Sequence, residues 1–339
     1  MSETEKYETL KEAVGKDPDG EVTLSILRNM CRAARKSNYA ITEQMVGLLR
    51  CVKLQRETEN KTLRLHDFVR RKSVSKRELK IHKKERIKRT EGMFLYEKKD
   101  VGRRRKINSE ILECVFEVYL NTLRFAGGVC AFADGVVSGV FKGMAWFGDK
   151  IGGEYVEEIV EETKRLLEAE ERKLGAIATL HGILCVQRLV SVTNQRRAGD
   201  VKWLYDVLYA AISDVFQKRT VETEFVIKKT FGVLFLSQKE LPGPRVASFV
   251  HRLLRCCPAA SSETGEFILS LVAELMDRHP ETGRLFENCD NGFCFLAGCK
   301  NPDEANPFRT SIRPVLREIE AAHPQAGTAV RAILEKNPK

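Results

Sequence analysis

The densest chemistry in the sequence is positive charge. Arg70, Arg71 and Lys72 open a run that continues through Lys76, Arg77, Lys80, Lys83, Lys84, Arg86, Lys88 and Arg89. Arg103, Arg104, Arg105 and Lys106 close it. Between Arg70 and Lys106 stand 17 Lys or Arg against 5 Asp or Glu. Side chains of this kind neutralise phosphates and release counterions, so their affinity falls steeply with salt. Residues 75–90 have helix-forming composition, yet Leu79, Ile81 and Ile87 make no continuous stripe. Such a helix has little to bury in a core and would be ordered by a polyanion or not at all. It lacks the aromatics that stack unpaired bases, which predicts contact with phosphates and poor sequence specificity. A solvated linker or a nuclear-import signal has the same composition, and import is compatible with nucleic-acid contact.

Other reactive side chains form no kit. Cys289, Cys294 and Cys299 are evenly spaced by five, whereas zinc motifs bring thiols in Cys-x2–4-Cys pairs with a fourth ligand at matched spacing. They read as reduced thiols in a loop, with no metal. Cys256-Cys257 stands at a helix end before Pro258 and reads as packing; His181 reads as a satisfied core histidine. His251 shares its helix with Arg252 and Arg255 and is expected on a polar face. Gly127-Gly128 and Gly152-Gly153 lack the Lys-Ser/Thr or strand context of a phosphate cradle. No nucleophile elbow or His-Glu-x-x-His pattern is present. The expectation is a non-enzyme without cofactors.

The elements that must carry these groups are helical. Of 339 residues, 43% are apolar, enough for a sizeable core, and the net charge is +10. The basic segment carries an excess of twelve, so the remainder is near −2. Ten cysteines without paired spacing, behind a polar N-terminus, point to free thiols in a reducing interior. Residues 125–148 are apolar enough to be weighed as a membrane span, but Asp134 and Lys142 interrupt them, so a buried helix is expected. Periodicity of 3.6 predicts a leading helix ended by Asp17-Pro18-Asp19-Gly20, and helices over 21–35 and from an N-cap at Thr42. The latter two are expected to pair antiparallel. Asn108 or Ser109 should cap the next helix. Further helices are predicted at about 135–147, 156–169, 173–192, 201–216, 222–236, 245–256, 262–278, 313–322 and 326–334, with a loop over 285–307. Four regions follow: a helix pair (1–60), a basic arm (61–107), a helical repeat domain (108–284) and a loop-rich end (285–339). A HEAT- or armadillo-like stack fits these lengths, an irregular bundle fits them too, and the class is all-α.

In order, the segments resemble one family, nucleolar complex protein 3, with its CCAAT-binding-factor-type C-terminal domain. Gly20-Glu-Val-Thr-Leu-Ser-Ile-Leu and Ala40-Ile-Thr-Glu-Gln-Met are similar to a helix pair that in the family precedes a basic run. Ser75-Lys-Arg-Glu-Leu-Lys-Ile-His-Lys-Lys-Glu-Arg86 occupies the place of that run. Residues 108–123 and 135–147 look like two further family helices. Arg245-Val-Ala-Ser-Phe-Val-His-Arg-Leu253 is similar to its Arg-Ala-x-x-Phe-x-Lys-Arg-Leu helix. Asn301-Pro-Asp-Glu-Ala-Asn306 resembles its Asp-Pro-x-x-x-Asn turn. Two signatures depart: Arg313-Pro314-Val315 stands for Trp-Glu-Leu, and Ala321-Ala322-His323-Pro324 for His-x-His-Pro. The resemblance spans roughly 20–335 and reads as a shortened member. It implies a nucleolar scaffold on precursors of the large ribosomal subunit, supporting rRNA processing and nuclear export. The implied partners are pre-rRNA and a second nucleolar complex protein, of the nucleolar complex protein 2 type. A role in loading replication factors on chromatin is the alternative it implies. A peptide-binding cytosolic adaptor, its basic run only an import signal, is the rival from another class.

Overall fold

The computed structural model describes residues 3–54, 102–126, 133–151, 153–169, 174–193, 201–217, 220–238, 240–287, 295–296 and 298–335. Among them every regular element is helical, in agreement with the all-α expectation. They divide into two compact units, Met1–Thr122 and Leu123–Lys339.

In the first unit α1 spans Glu3–Lys16, α2 Glu21–Lys36 and α3 Glu43–Cys51; α4 is described over 102–126, most of it in this unit. The turn before α2 is built by Asp17, whose carboxylate accepts N–H bonds from Asp19, Gly20 and Thr23. Gly20, at φ 76°, lies in the left-handed region that glycine enters without strain. Thr42 caps α3 as expected, its Oγ1 accepting from the Met45 N–H.

Two expectations are corrected here. Asn108 and Ser109 are interior to α4, which is already helical at residue 102; Ser109 bonds Glu113 one turn on. α2 also does not take α3 as its main neighbour. α3 packs on α1, and α2 pairs with α4 in parallel. Glu21 meets Arg103, Arg28 meets Glu110 at 2.6 Å and Arg35 meets Glu117 at 2.6 Å. These pairs recur every seven residues on both helices, the spacing that keeps two helices facing each other. Local reading favours the nearest neighbour in sequence, whereas a parallel pair needs partners joined by a long connection. Leu24, Leu27, Met30, Cys31 and Ala34 of α2 and Ile111, Val115, Val118 and Leu123 of α4 are buried.

The second unit continues with α5 (Asp134–Trp146), α6 (Gly153–Glu168), α7 (Ala176–Thr193), α8 (Trp203–Gln217) and α9 (Val221–Phe231). It ends with α10 (Gly243–Cys256), α11 (Ser262–Arg278), α12 (Arg313–Ala322) and α13 (Gly327–Glu335). α7 packs against α5, α6, α8 and α9, so it is apolar on most sides. Gly182 lets two neighbours close in: a Cβ there would stand 3.1 Å from both Leu167 and Phe141. α10 is the second hub, touching α8, α11 and α12. Phe249 on α10 stacks edge-on against Tyr209 and Phe235 at 5.1 and 4.7 Å between centroids.

The region expected as a loop, 285–307, holds tight 3-10 turns at Pro280–Phe286, Pro302–Glu304 and Pro307–Arg309. Among its described residues, Leu285, Phe286, Phe295 and Ala305 are buried in the main core. Proline and glycine forbid long helices but not burial.

Helix ends in this unit share one device. His279-Pro280 and His323-Pro324 end α11 and α12 with nearly the same backbone angles, φ −122° ψ 82° and φ −131° ψ 81°. Each imidazole Nε2 reaches the carbonyl that ends another helical run: His279 meets Phe235 O at 3.1 Å, and His323 meets Cys257 O at 3.0 Å. The first carbonyl is free because α9 widens into a π turn over Gly232–Leu236. Leu234 O in the same turn accepts from Tyr205 Oη at 2.9 Å.

Candidate functional site

The basic residues fall in two groups. Arg70, Arg71, Lys72, Lys76, Arg77, Lys80, Lys83, Lys84, Arg86, Lys88 and Arg89 lie outside the described residues. Arg103, Arg104, Arg105 and Lys106 are described, and the structure places them in α4. Arg103 pairs with Glu21, Arg104 is half-buried, and Arg105 and Lys106 are exposed.

The best-defined constellation joins the two motifs at 245–253 and 301–306. Arg245, Ser248, His251 and Arg252 line one face of α10, and each grips the chain between Cys299 and Thr310. Arg245 donates from Nε and Nη2 to the two carboxylate oxygens of Asp303, at 2.9 and 2.8 Å. Lys202 reaches Asp303 at 2.8 Å from the α8 side. Ser248 Oγ donates to Pro302 O at 2.6 Å, and Arg252 Nη1 to Cys299 O at 3.2 Å. The guanidiniums also rest on aromatic rings, Arg245 over Tyr205 at 4.8 Å and Arg252 over Tyr209 at 4.2 Å. Asn301 closes the turn by accepting from the Asp303 N–H at 3.0 Å.

His251 is not on a polar face. It is 1% exposed, stacked on Phe295 at 4.5 Å, with Nε2 3.0 Å from Pro307 O and 2.9 Å from Thr310 O. The helical wheel sets it beside arginines, but the 295–310 turn covers that face. Both neighbours of Nε2 are carbonyls, so Nε2 must carry the proton and Nδ1 is left bare and buried. A second proton would have no acceptor. Burial accordingly holds the imidazole down at about 4. The Arg245 bonds, with Lys202 behind them, hold the Asp303 carboxyl down at about 2. Asp206 is pushed up by its burial.

These groups tie one stretch of the chain to another; the arrangement is a clasp. His181 is half-buried in α7. The described cysteines are free thiols: Cys257 is buried and donates to Leu253 O, and Cys299 donates to Asn301 O at 3.2 Å. Cys289 and Cys294 lie outside the described residues. Among the described residues no helix is long and apolar enough to cross a membrane, and no three acidic, His or Cys side chains gather as a metal site. Sequence reading missed the exposed aromatics Trp146, Tyr155 and Phe225. The apolar run 125–148 was expected to be buried. Trp146, at the end of α5, is 71% exposed and offers aromatic area for protein contact.

Residues 181–324 match the CBF/Mak21 family, a span that holds both halves of the clasp. Over longer stretches the chain is similar to curated proteins. It is 24% identical over 242 residues to nucleolar complex-associated protein 3 of Saccharomyces cerevisiae, covering 62% of this chain and 35% of that protein. It is 23% identical over 340 residues to the nucleolar complex protein 3 homolog of Mus musculus, covering 94% and 41%. The human homolog is 22% identical over 320 residues, covering 90% and 38%. The chain thus spans roughly two fifths of the length of the curated relatives it matches.

Proposed function

We propose that this chain, which carries a CBF/Mak21-type domain and is similar to nucleolar complex protein 3 along most of its length, is a non-enzymatic scaffold of ribosome assembly. Its compartment is the nucleolus, as the relatives' names indicate. The observation that carries the reading is similarity across 94% of the chain, with two motifs similar to the family's, at 245–253 and 301–306, holding one another in a single clasp. The scaffold rides on precursors of the large subunit and supports rRNA processing and export. Its basic arm, 61–107, runs along pre-rRNA phosphates; helical surfaces hold a second nucleolar complex protein, of the nucleolar complex protein 2 type. The arm's charge favours RNA contact over a neutral spacer role, because an excess of twelve cations in one segment concentrates polyanions there.

Affinity purification of the tagged chain at moderate salt, with and without RNase, tests this. Expected are large-subunit precursor rRNA and a second nucleolar complex protein, the protein surviving RNase. Recovery of replication-origin factors or import cargo without rRNA overturns it.

A further inference from the structure

Where α2 and α4 face each other, two thiols meet. Cys31 on α2 donates from Sγ to the backbone carbonyl of Cys114 on α4, at 3.4 Å. The register is fixed on both sides, by Arg28 with Glu110 at 2.6 Å and by Arg35 with Glu117 at 2.6 Å; Tyr39 Oη adds a bond to Glu117 at 2.9 Å. Cys31 is buried and Cys114 half-buried, so one sulfur faces the interior and the other is within reach of a small reagent. Among the described residues the other thiols offer no such meeting of two helices. Cys185 is sealed in α7, Cys51 stands exposed on α3, Cys256 and Cys257 are sequence neighbours on one helix end, and Cys299 lies in a turn and donates to Asn301 O.

We propose that Cys31 and Cys114 are a site of reversible oxidation, forming a disulfide that staples α2 to α4 when a low-molecular-weight disulfide such as oxidised glutathione is present. Cys114 acts first. The neighbouring Cys31 thiol favours the Cys114 thiolate, whereas the proximity of Cys114, together with burial, disfavours ionisation of Cys31. The Cys114 thiolate attacks one sulfur of the oxidant; a mixed disulfide forms, the oxidant's S–S bond breaks, and one glutathione thiolate leaves and takes a proton. Cys31 then gives up its proton as its sulfur attacks the Cys114 sulfur; the protein disulfide forms, and the second glutathione leaves as a thiol. Two protein thiols lose two electrons and two protons, and the oxidant gains them. The closed covalent loop contains α3 and the whole basic segment, so oxidation pins both ends of the arm's span of sequence.

The test treats the full native chain with oxidised glutathione, blocks remaining thiols, and maps peptides by mass spectrometry without reduction. The expected result is a peptide linking Cys31 to Cys114, two hydrogens lighter than its parts and abolished by dithiothreitol. In Cys31→Ser, Cys114 is expected to keep a glutathione adduct because the resolving thiol is gone. In Cys114→Ser, Cys31 is expected to stay reduced. A linked peptide pairing either residue with another cysteine overturns the proposal, as does a wild-type map with both thiols alkylated. The wild-type map stands even if a variant fails to fold, and none of these outcomes depends on what the arm binds.

Discussion

Asp303 is gripped by two cations on different helices, and the two grips are not equivalent. Arg245 meets it with a planar fork and lies over Tyr205, while Lys202 is a point charge at the surface. Lysine cannot reproduce the fork or the stacking. Arg245→Lys is therefore expected to cost about 1–3 kcal/mol in chemical denaturation; wild-type stability in that variant would refute the clasp. His251 adds a pH dependence. The unfolded imidazole takes its proton near the ordinary 6.5, the folded one only near about 4. Between those values the unfolded chain holds more protons, so stability is full above pH 6.5 and falls as pH drops toward 4. The loss amounts to roughly 3 kcal/mol if the whole difference is expressed. His251→Gln keeps an N–H donor without titrating, and should flatten stability against pH in that window. Asp303 acts in the same direction at lower pH: its contribution is present above 3.8 and is lost as pH falls through about 2. The motifs at 245–253 and 301–306 were each legible in the sequence. That one holds the other was not, because nothing along the chain says which turn covers which helix face.

Helix boundaries were the most legible elements. Asp17 to Gly20, Thr42, Pro242 and the two His-Pro pairs punctuate the chain where the structure does, since capping and proline chemistry act locally. Pairing was less legible. α2 takes α4 across the basic segment, a choice made by long-range burial of Leu24, Leu27, Val115 and Val118. The start of α4 moved for the same reason: Ile107 is buried and Arg103 meets Glu21, so the packing partner extends the helix past the polar residues that looked like its cap. The ion pairs set register, and the apolar seam supplies the stability. Leu27→Ala is expected to destabilise the first unit by about 2–5 kcal/mol, the range for a fully buried leucine. Arg35→Ala, cutting an exposed pair, should change it far less. Denaturant unfolding of both variants checks this, and equal losses would mean the ladder, not the seam, holds α2 to α4.

At the scale of the whole molecule, charge is divided more sharply than sequence. One segment holds an excess of twelve cations and the remaining chain is near neutral. A scaffold built this way should bind polyanions by counterion release, with affinity set by how many phosphates the arm covers. Each contact contributes roughly 0.7–0.9 to the slope of log affinity against log salt. Replacing Lys83, Lys84, Arg86, Lys88 and Arg89 by alanine should lower that slope by as much as about four if all five engage. Wild type and variant should converge at high salt, where counterion release no longer drives binding. Arg103→Ala should lower the slope less than any arm lysine, because Glu21 already neutralises that guanidinium. Single-stranded RNAs of different sequence should give the same slope, since residues 75–90 carry no Phe, Tyr or Trp to stack on bases and would count phosphates. Thermal unfolding of the same preparations separates a lost contact from a lost fold. A slope unchanged in the five-site variant would move RNA binding off the arm and leave the segment as a spacer or an import signal.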